Sequence, residues 1–208
     1  MPPRLAHDPA ALRTEVLDTL LLFLLAHVDR TPLHAAGVMF GERLAVLAGP
    51  SGWGKSTLAL AAAARGLQIL SDDTLYIQLR PRTRLWGLRR PIHVFPRDAP
   101  RFTGATRLRG GKLKAVVPLP DQAGPLFADE AELVLLKRGE ALALERVGPD
   151  VAKAQLAHLD PGFDLFAEES AVAVAALAHD GAWRLTLSRD PGAAIDFLRE
   201  RLCAPTSG

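Results

Sequence analysis

The spacing of apolar residues in the first third of the chain predicts two strands followed by a helix. Two apolar runs, HAAGVMF (34–40) and RLAVLA (43–48), are separated by only two residues, which predicts a tight antiparallel hairpin. The stretch STLALAAAAR (56–65) is rich in Ala and Leu and is followed by Gly66, which predicts a helix that ends at a glycine. Directly paired strands followed by a helix indicate an α/β protein with a mixed, partly antiparallel and bent sheet.

The N-terminal pattern is helical and apolar on nearly every side. Residues 9–28 predict a helix with Asp8 as its N-cap and Pro9 in its first turn. Leucines surround much of this helix, so we expect it to be buried against the domain or against another subunit. A homo-oligomer formed through the N-terminal helix is therefore one prediction.

The second half of the chain predicts further strands and helices. The apolar runs at 131–138 and 141–147 flank Gly139-Glu140, which predicts a second hairpin with a two-residue turn. Three more elements are predicted: a helix over 163–179, a strand over 183–188, and a last helix that starts at Asp190-Pro191 and ends near Leu202.

Residues 49–56, GPSGWGKS, match the phosphate-loop pattern G-x-x-x-x-G-K-[ST] at every position, and they lie between a predicted strand and a predicted helix. In such a loop the glycines let backbone N–H groups converge on phosphate oxygens. Lys55, expected to be solvated in the empty loop, would reach the β- and γ-phosphates of ATP, and the Ser56 hydroxyl would ligate Mg²⁺. The predicted nucleotide-binding residues are Gly49, Pro50, Ser51, Gly52, Trp53, Gly54, Lys55, Ser56 and Thr57.

Two adjacent carboxylates, Asp72 and Asp73, follow the apolar run LQIL one helix beyond this loop. Two close negative charges are costly beside bare phosphates, but Mg²⁺ and an incoming hydroxyl group between them make the arrangement favourable. The pair therefore indicates phosphoryl transfer with acid–base assistance. A simple Asp-Asp turn that caps the next element is the structural alternative.

Composition narrows the class of protein. The chain has 208 residues, 49% of them hydrophobic, which suits one ordinary domain with a sizeable core. A single cysteine, Cys203, rules out a disulfide framework, and the longest apolar run, Leu20–Ala26, is far shorter than the roughly 20 residues of a membrane span. Acidic residues near the N-terminus argue against a signal peptide. We therefore expect a cytoplasmic protein with no membrane partner.

Positive charge is concentrated between residues 80 and 114, which hold eleven Lys or Arg and one acid, Asp98. The basic residues are Arg80, Arg82, Arg84, Arg89, Arg90, Arg97, Arg101, Arg107, Arg109, Lys112 and Lys114. No helix-turn-helix, zinc-finger or RNP pattern accompanies them, so we predict no nucleic-acid partner. A solvated loop is possible. The favoured interpretation is that the segment borders the phosphate site and binds phosphates or an acidic substrate.

The ordered set of His34, GPSGWGKST, a helix that ends in Arg-Gly, and LSDDT resembles the C-terminal catalytic domain of HPr kinase/phosphorylase and its smaller kinase relatives. The likeness covers about residues 20–120. It implies a single phosphate-loop domain, related to the nucleotide-binding domain of phosphoenolpyruvate carboxykinase, that spans 1–208. Its parts are an N-terminal helix over 1–30, a nucleotide-binding core over 31–120, and C-terminal strands and helices over 121–208.

The resemblance also implies roles for individual residues. Lys55 and Ser56 hold the phosphates and Mg²⁺, and His34 flanks the site. One aspartate of the pair accepts the proton of the attacking hydroxyl and the other supports the metal or a basic partner. The resemblance leaves open which is which, and we assign the base to Asp73 and the supporting role to Asp72. The predicted catalytic residues are therefore Asp73, Asp72, Lys55 and His34, and the predicted metal ligands are Ser56 and Asp72.

One departure from the family bears on the substrate. The second family signature supplies a metal-binding glutamate, whereas the nearest stretch here, RLWGLRRPIHVF (84–95), contains no acid. This favours the shorter kinase relatives, some of which resemble tailoring enzymes of ribosomal peptides such as lasso peptides. Their basic segment resembles RLRGGKLKAVVPLP (107–120), so Arg107, Lys112 and Lys114 are phosphate-contact candidates.

Three functions remain open from the sequence. The leading one is an ATP-dependent kinase that phosphorylates a Ser or Thr hydroxyl of a protein or precursor peptide. The second is a kinase of a small hydroxylated metabolite, and the third is a module that binds ATP without transferring phosphate.

Overall fold

The computed structural model describes residues 12–100, 102–109, 111–119, 124–157 and 167–203, and these residues form three sheets with helices around them. A π-helical turn, Arg13–Leu17, precedes the helices α1 (Asp18–Ala26), α2 (Lys55–Ala63), α3 (Pro149–Ala157), α4 (Ala167–Leu177) and α5 (Pro191–Leu202). The strands are β1 (Thr31–Leu33), β2 (Ala35–Phe40), β3 (Arg43–Ala48), β4 (Ile69–Ser71), β5 (Leu75–Gln78), β6 (Arg84–Gly87), β7 (Ile92–Val94), β8 (Thr106–Arg109), β9 (Lys112–Val117), β10 (Phe127–Ala128), β11 (Glu130–Arg138), β12 (Ala143–Val147) and β13 (Ala182–Leu187).

The largest sheet is mixed, as the sequence predicts. Its order is β12-β13-β11-β3-β2-β4. The hairpin of β2 and β3 is antiparallel and runs in register from Ala35 opposite Ala48 to Phe40 opposite Arg43. Beyond β3 the pairing changes, because β3, β11 and β13 are parallel to one another. The predicted α/β class and first hairpin are confirmed.

The second predicted hairpin is wrong. Strands β11 and β12 do not pair, because β13 lies between them, parallel to β11 and antiparallel to β12. Four consecutive residues of β11, 133–136, are buried, which is the pattern of a central strand covered on both faces. A strand of that kind needs a paired strand on each side. Strand β12 is mostly exposed and lies at the edge of the sheet, next to β13.

The central sheet is packed on both faces. Ala45 and Leu47 of β3 face a cluster that includes Leu58 of α2 and Leu198 of α5. The alternate residues of β3 face a second cluster, which the four-stranded antiparallel sheet β1-β5-β6-β10 and helices α3 and α4 complete. The third sheet, β7-β9-β8, packs beside α2 through Ile92. This arrangement leaves the ends of β3, β11 and β13 to form one edge of the molecule.

The N-terminal helix differs from its prediction. Asp8 and Pro9 lie outside the described residues, and the described part, α1, has no buried residue. Leu20 is 52% exposed and Leu24 is 65% exposed, so the expected burial against the domain is wrong. The expected homo-oligomer stays a prediction. None of the described helices is long and apolar enough to cross a membrane.

The C-terminal half contains the predicted strand and last helix. Strand β13 covers the predicted run, and Asp190 is the N-cap of α5, its Oδ1 accepting hydrogen bonds from the N–H groups of Gly192 and Ala193. The predicted helix over 163–179 is described only from residue 167, as α4.

Candidate active site

The glycine-rich loop connects β3 directly to α2, in the position that its sequence pattern predicts. Gly52 and Gly54 have φ angles of 82° and 103°, a left-handed conformation that other residues rarely adopt. A Cβ added to Gly49 would lie 3.2 Å from Cβ of Leu136, so the loop begins in close contact with the neighbouring strand β11. The glycines therefore serve both the turn and the close approach of two strands.

Lys55 is buried, which corrects the expectation of a solvated side chain. It is 5% exposed, and its Nζ donates hydrogen bonds to the carbonyl oxygens of Gly49 at 2.5 Å and Pro50 at 3.3 Å. These carbonyl groups hold the ammonium group against the start of the loop. Arg138, at the end of β11, donates to the carbonyl oxygen of Gly52. Two cations thus hold the loop through its backbone.

The carboxylate pair follows β4 in a turn that Ser71 organises. The Ser71 hydroxyl oxygen accepts hydrogen bonds from the N–H groups of Asp73 at 3.3 Å and Thr74 at 3.1 Å. Asp72 is 4% exposed, and its Oδ2 accepts a hydrogen bond of 2.9 Å from the N–H group of His93 in β7. The turn therefore directs one carboxylate into the protein.

The second carboxylate, Asp73, is more accessible. Its Oδ1 lies 3.5 Å from Nδ1 of His34, and the two side chains are 31% and 15% exposed. His34 immediately precedes β2 and Asp73 follows β4, so the antiparallel pairing of β2 with β4 brings the histidine to the carboxylate. The structure consequently pairs the two residues that the resemblance places beside the reacting group.

A cavity of about 500 Å³ brings the predicted residues together. Every predicted site residue except Gly49 and Pro50 lines it: His34, Ser51, Gly52, Trp53, Gly54, Lys55, Ser56, Thr57, Asp72 and Asp73. The other lining residues are Leu58, His93, Val94, Phe95, Arg97, Asp98, Lys112, Lys114, Arg138, Gly139, Leu187, Ser188, Arg189 and Pro191. Six Lys or Arg face three Asp in this set, so the cavity suits an anionic ligand.

Several lining residues were missed from the sequence because they follow strands whose pairing was mispredicted. Arg138 is the last residue of β11 and Gly139 follows it, and Ser188 and Arg189 follow β13. The carboxyl ends of parallel strands meet at one edge of a sheet, which is where ligands bind in open α/β sheets. A parallel β3-β11-β13 arrangement would have predicted all four residues, whereas the hairpin prediction concealed them.

Some basic residues of the segment 80–114 line the cavity, and others bind partners elsewhere. Arg97, Lys112 and Lys114 line the cavity, whereas Arg107 is exposed and is not part of the lining. Other members bind partners elsewhere: Arg84 with Asp129 at 2.6 Å, Arg90 with Asp18 at 2.8 Å, and Arg89 with the carbonyl oxygen of Gly124 at 2.9 Å. The segment therefore contributes a few cations to the cavity and does not border it as a whole.

The ion pair of Arg90 with Asp18 reaches the back of the carboxylate pair. Both residues line a small cavity of about 20 Å³ together with Asp72 and Asp73. Burial raises the pKa of the neighbouring Tyr76, and Arg90 opposes that shift while the negative charges of Asp18 and Asp73 add to it. The N-terminal helix is thus electrostatically connected to the site, although Leu20, Phe23 and Leu24 of that helix are exposed.

The residues present fit a magnesium ion. The Ser56 hydroxyl and the Asp72 and Asp73 carboxylates line one cavity, and oxygen ligands of these kinds are what Mg²⁺ prefers. Within the described residues no group of three or more His, Cys, Asp or Glu side chains could hold a metal alone. This suits Mg²⁺, which commonly uses one or two carboxylates and completes its shell with water and substrate phosphates.

Comparisons with known proteins include a distant likeness. A scan against protein-family models found no match, and a search of curated proteins found none either. Among solved structures, the chain is similar to the HPr(Ser) kinase/phosphatase from Coxiella burnetii, with a TM-score of 0.43 and 11% identity, over 84% of this chain and 99% of that one. A likeness of this strength leaves the chemistry to be argued from the residues of the site.

Proposed function

We propose that the protein is an ATP-dependent phosphotransferase that transfers the γ-phosphoryl group to a Ser or Thr hydroxyl of a protein or peptide. One observation carries the proposal: the glycine loop with Lys55 and Ser56 and the carboxylate pair line a single cavity, although a helix separates them in the chain. A glycine-rich turn that bound nothing would not need two carboxylates and several basic side chains beside it. Phosphoryl transfer uses the loop, the carboxylates and the basic side chains together.

The loop and its cations would bind the triphosphate. Backbone N–H groups at the start of α2 and the Lys55 ammonium group would donate to phosphate oxygens, with Lys55 exchanging its carbonyl partners for them. Ser56 and Asp72 would hold Mg²⁺, which supplies charge neutralisation when bound. The hydrogen bond from the His93 N–H group fixes the Asp72 carboxylate in place for that role.

Asp73 would act on the acceptor. As the acceptor oxygen forms its bond to the γ-phosphorus, the bond from that phosphorus to the β-phosphate oxygen breaks and ADP leaves. The hydroxyl proton passes to a carboxylate oxygen of Asp73. The greater exposure of Asp73 and its contact with His34 at 3.5 Å support this assignment, because a base must reach an incoming hydroxyl while it is held in orientation.

The dimensions of the site favour a peptide over a small metabolite. The cavity of about 500 Å³ lies within the range of ordinary ligand sites and would be filled largely by the nucleotide. The adjoining cavity of about 20 Å³ has room for about one water molecule, so it does not hold a metabolite. An acceptor that enters from outside, such as a side chain on a flexible segment, fits this geometry.

Other sequence predictions accompany this proposal without a test. They are the single domain over 1–208 with its core at 31–120, the cytoplasmic location, the homo-oligomer through the N-terminal helix and the absence of a nucleic-acid partner. The cavity is also lined by residues 138–139, 187–189 and Pro191, so strands from both halves of the chain would take part in the reaction.

The test is phosphate transfer from labelled ATP. The full chain is incubated with Mg²⁺, ATP and a library of Ser-containing peptides, and mass spectrometry is used to detect the added phosphate. We expect phosphoserine on a subset of peptides and none on the matched library in which Ser is replaced by Ala. A protein that binds ATP and transfers phosphate to no peptide or protein acceptor would contradict the proposal and favour the non-catalytic ATP-binding module.

A further inference from the structure

The hairpin formed by β8 and β9 has two chemically different faces. Adjacent residues of a strand point to opposite faces, and Lys112 and Lys114 of β9, two residues apart, both line the cavity. Arg107 of β8 lies directly opposite Lys114 in register and so shares that face. Leu108 and Leu113, also directly opposite each other, lie on the other face and are 77% and 50% exposed. The charged face is the one turned to the cavity.

This hairpin concentrates positive charge on one face. Arg107 and Lys114 lie directly opposite each other, and strands β8 and β9 contain no acidic residue. The Lys112 side chain lies nearer the turn and is exposed, whereas Lys114 is half-buried, so positive charge extends from the rim of the cavity inwards.

An aromatic ring holds part of this charge in place. The Lys114 Nζ lies 3.6 Å from the ring centroid of Phe95, and the Arg97 guanidinium lies 5.1 Å from the centroid of the same ring. The Arg97 Nε also lies 3.8 Å from Oδ1 of Asp98. Phe95 therefore orients the Lys114 ammonium group in the cavity wall, beside an Arg97 that also has a carboxylate partner.

We propose that this cationic face, made of Arg107, Lys112, Lys114 and Arg97, binds acidic residues that flank the acceptor hydroxyl, so that the substrate is an acidic segment of a protein or peptide. The proposal rests on the proposed function, since it names the acceptor of that reaction. Because this face lies at the rim of the cavity, it is better placed to bind the acceptor than the nucleotide. The loop, the start of α2 and Lys55 already supply phosphate donors deep in the cavity, whereas the exposed Lys112 marks the side from which a chain segment would enter.

The test measures peptide binding directly. Three synthetic heptapeptides carry a central Ser flanked by two Asp, two Gln or two Lys residues, and their binding to the full chain is measured with and without a non-hydrolysable ATP analogue. We expect the Asp peptide to bind most tightly and its affinity to fall as salt rises. Lys112→Glu and Lys114→Glu should each weaken Asp-peptide binding about two- to fivefold and strengthen Lys-peptide binding.

A matched control separates charge in the hairpin from charge in general. Arg201 is also an exposed cation on an aromatic ring, that of Phe197, and it lies outside the cavity lining, so Arg201→Glu should leave all three affinities unchanged. Equal binding of the three peptides, or no binding of the Asp peptide, would overturn the proposal. So would hairpin variants that weaken the ATP analogue and leave peptide preference intact, because the cations would then serve the nucleotide. Absence of phosphate transfer alone would contradict the proposed function and leave the peptide preference standing.

Discussion

Residues 49–73 and the basic segment 80–114 both line the same cavity, but to different extents. In the first region, every predicted residue from Ser51 to Thr57 lines the cavity, and so do both aspartates. In the second, three of the cations that the structure describes do so, Arg97, Lys112 and Lys114, and others bind Asp129, Asp18 or a backbone carbonyl group. The spacing of residues within one strand–loop–helix unit predicts where their side chains lie. An excess of basic residues predicts only that a ligand would be negatively charged. Four experiments test this difference.

The largest expected effect is in the first region, at Asp73. Replacing it in Asp73→Asn keeps the shape of the side chain and removes the base, so phosphoryl transfer should fall about 10²–10⁴-fold. Binding of ATP, measured by calorimetry, should be retained, since the residue contacts the acceptor side. Asp72→Asn is the matched comparison and should instead change the Mg²⁺ concentration needed for half-maximal activity. Equal activity in Asp73→Asn and the wild type would remove Asp73 as the base.

The second prediction concerns the buried lysine of the loop. Lys55→Ala should weaken binding of Mg·ATP more than about 30-fold, because it removes a buried charged donor from the phosphates. It should also lower stability by about 1–3 kcal/mol, since the carbonyl groups of Gly49 and Pro50 lose their donor. Calorimetry and chemical denaturation measure the two effects. The exposed Lys137, in β11, supplies the control Lys137→Ala, and a loop variant that behaved like this control would refute the assignment.

The third prediction tests a cation of the basic segment that is used structurally. Arg90→Ala and Asp18→Asn should each release α1 from the protein, which hydrogen exchange over residues 18–26 would detect as faster exchange. Because the two side chains are partner residues, each only 20% exposed, the double variant should exchange little faster than either single one, with a coupling of about 0.5–1 kcal/mol. Additive effects would show that the ion pair does not anchor the helix.

The smallest effect is a pH dependence at Asp129. The hydrogen bond from Arg84 lowers the pKa of this carboxyl below its ordinary value, so the folded state holds the proton less tightly than the unfolded state. The stabilisation is therefore present above the unfolded pKa, about 3.9, and is lost as pH falls through the lower folded value. We expect the wild type to melt above Asp129→Asn at pH 7 and the gap to close on acidification. A gap that widens as pH falls would contradict this.

The site was predictable where the cavity lining comes from consecutive residues. A phosphate loop is a local structure, so its glycines, Lys55 and Ser56 could be assigned to one loop from spacing alone. His34 meets Asp73 through the pairing of β2 with β4, which joins residues more than thirty positions apart. The burial of Lys55 was not predictable, because it depends on how the loop directs the carbonyl groups of Gly49 and Pro50. His93, Arg138 and Arg189 were missed, since their positions depend on strand order and not on any motif.

What the sequence determined by itself was therefore the set of short-range structures: the α/β class, the first hairpin, the loop, the helix behind it and the capped start of α5. Only the tertiary structure decided how these pieces meet. It inserted β13 between β11 and β12, because the buried segment of β11, residues 133–136, is stabilised by neighbours on both sides. The parallel pairing of β3, β11 and β13 then brought Arg138 and Arg189 to the cavity. It also left the leucine-rich α1 exposed, since apolar composition creates a need for burial but does not specify a partner. Local propensity acts over a few residues, whereas strand order and burial depend on contacts between residues far apart in the chain.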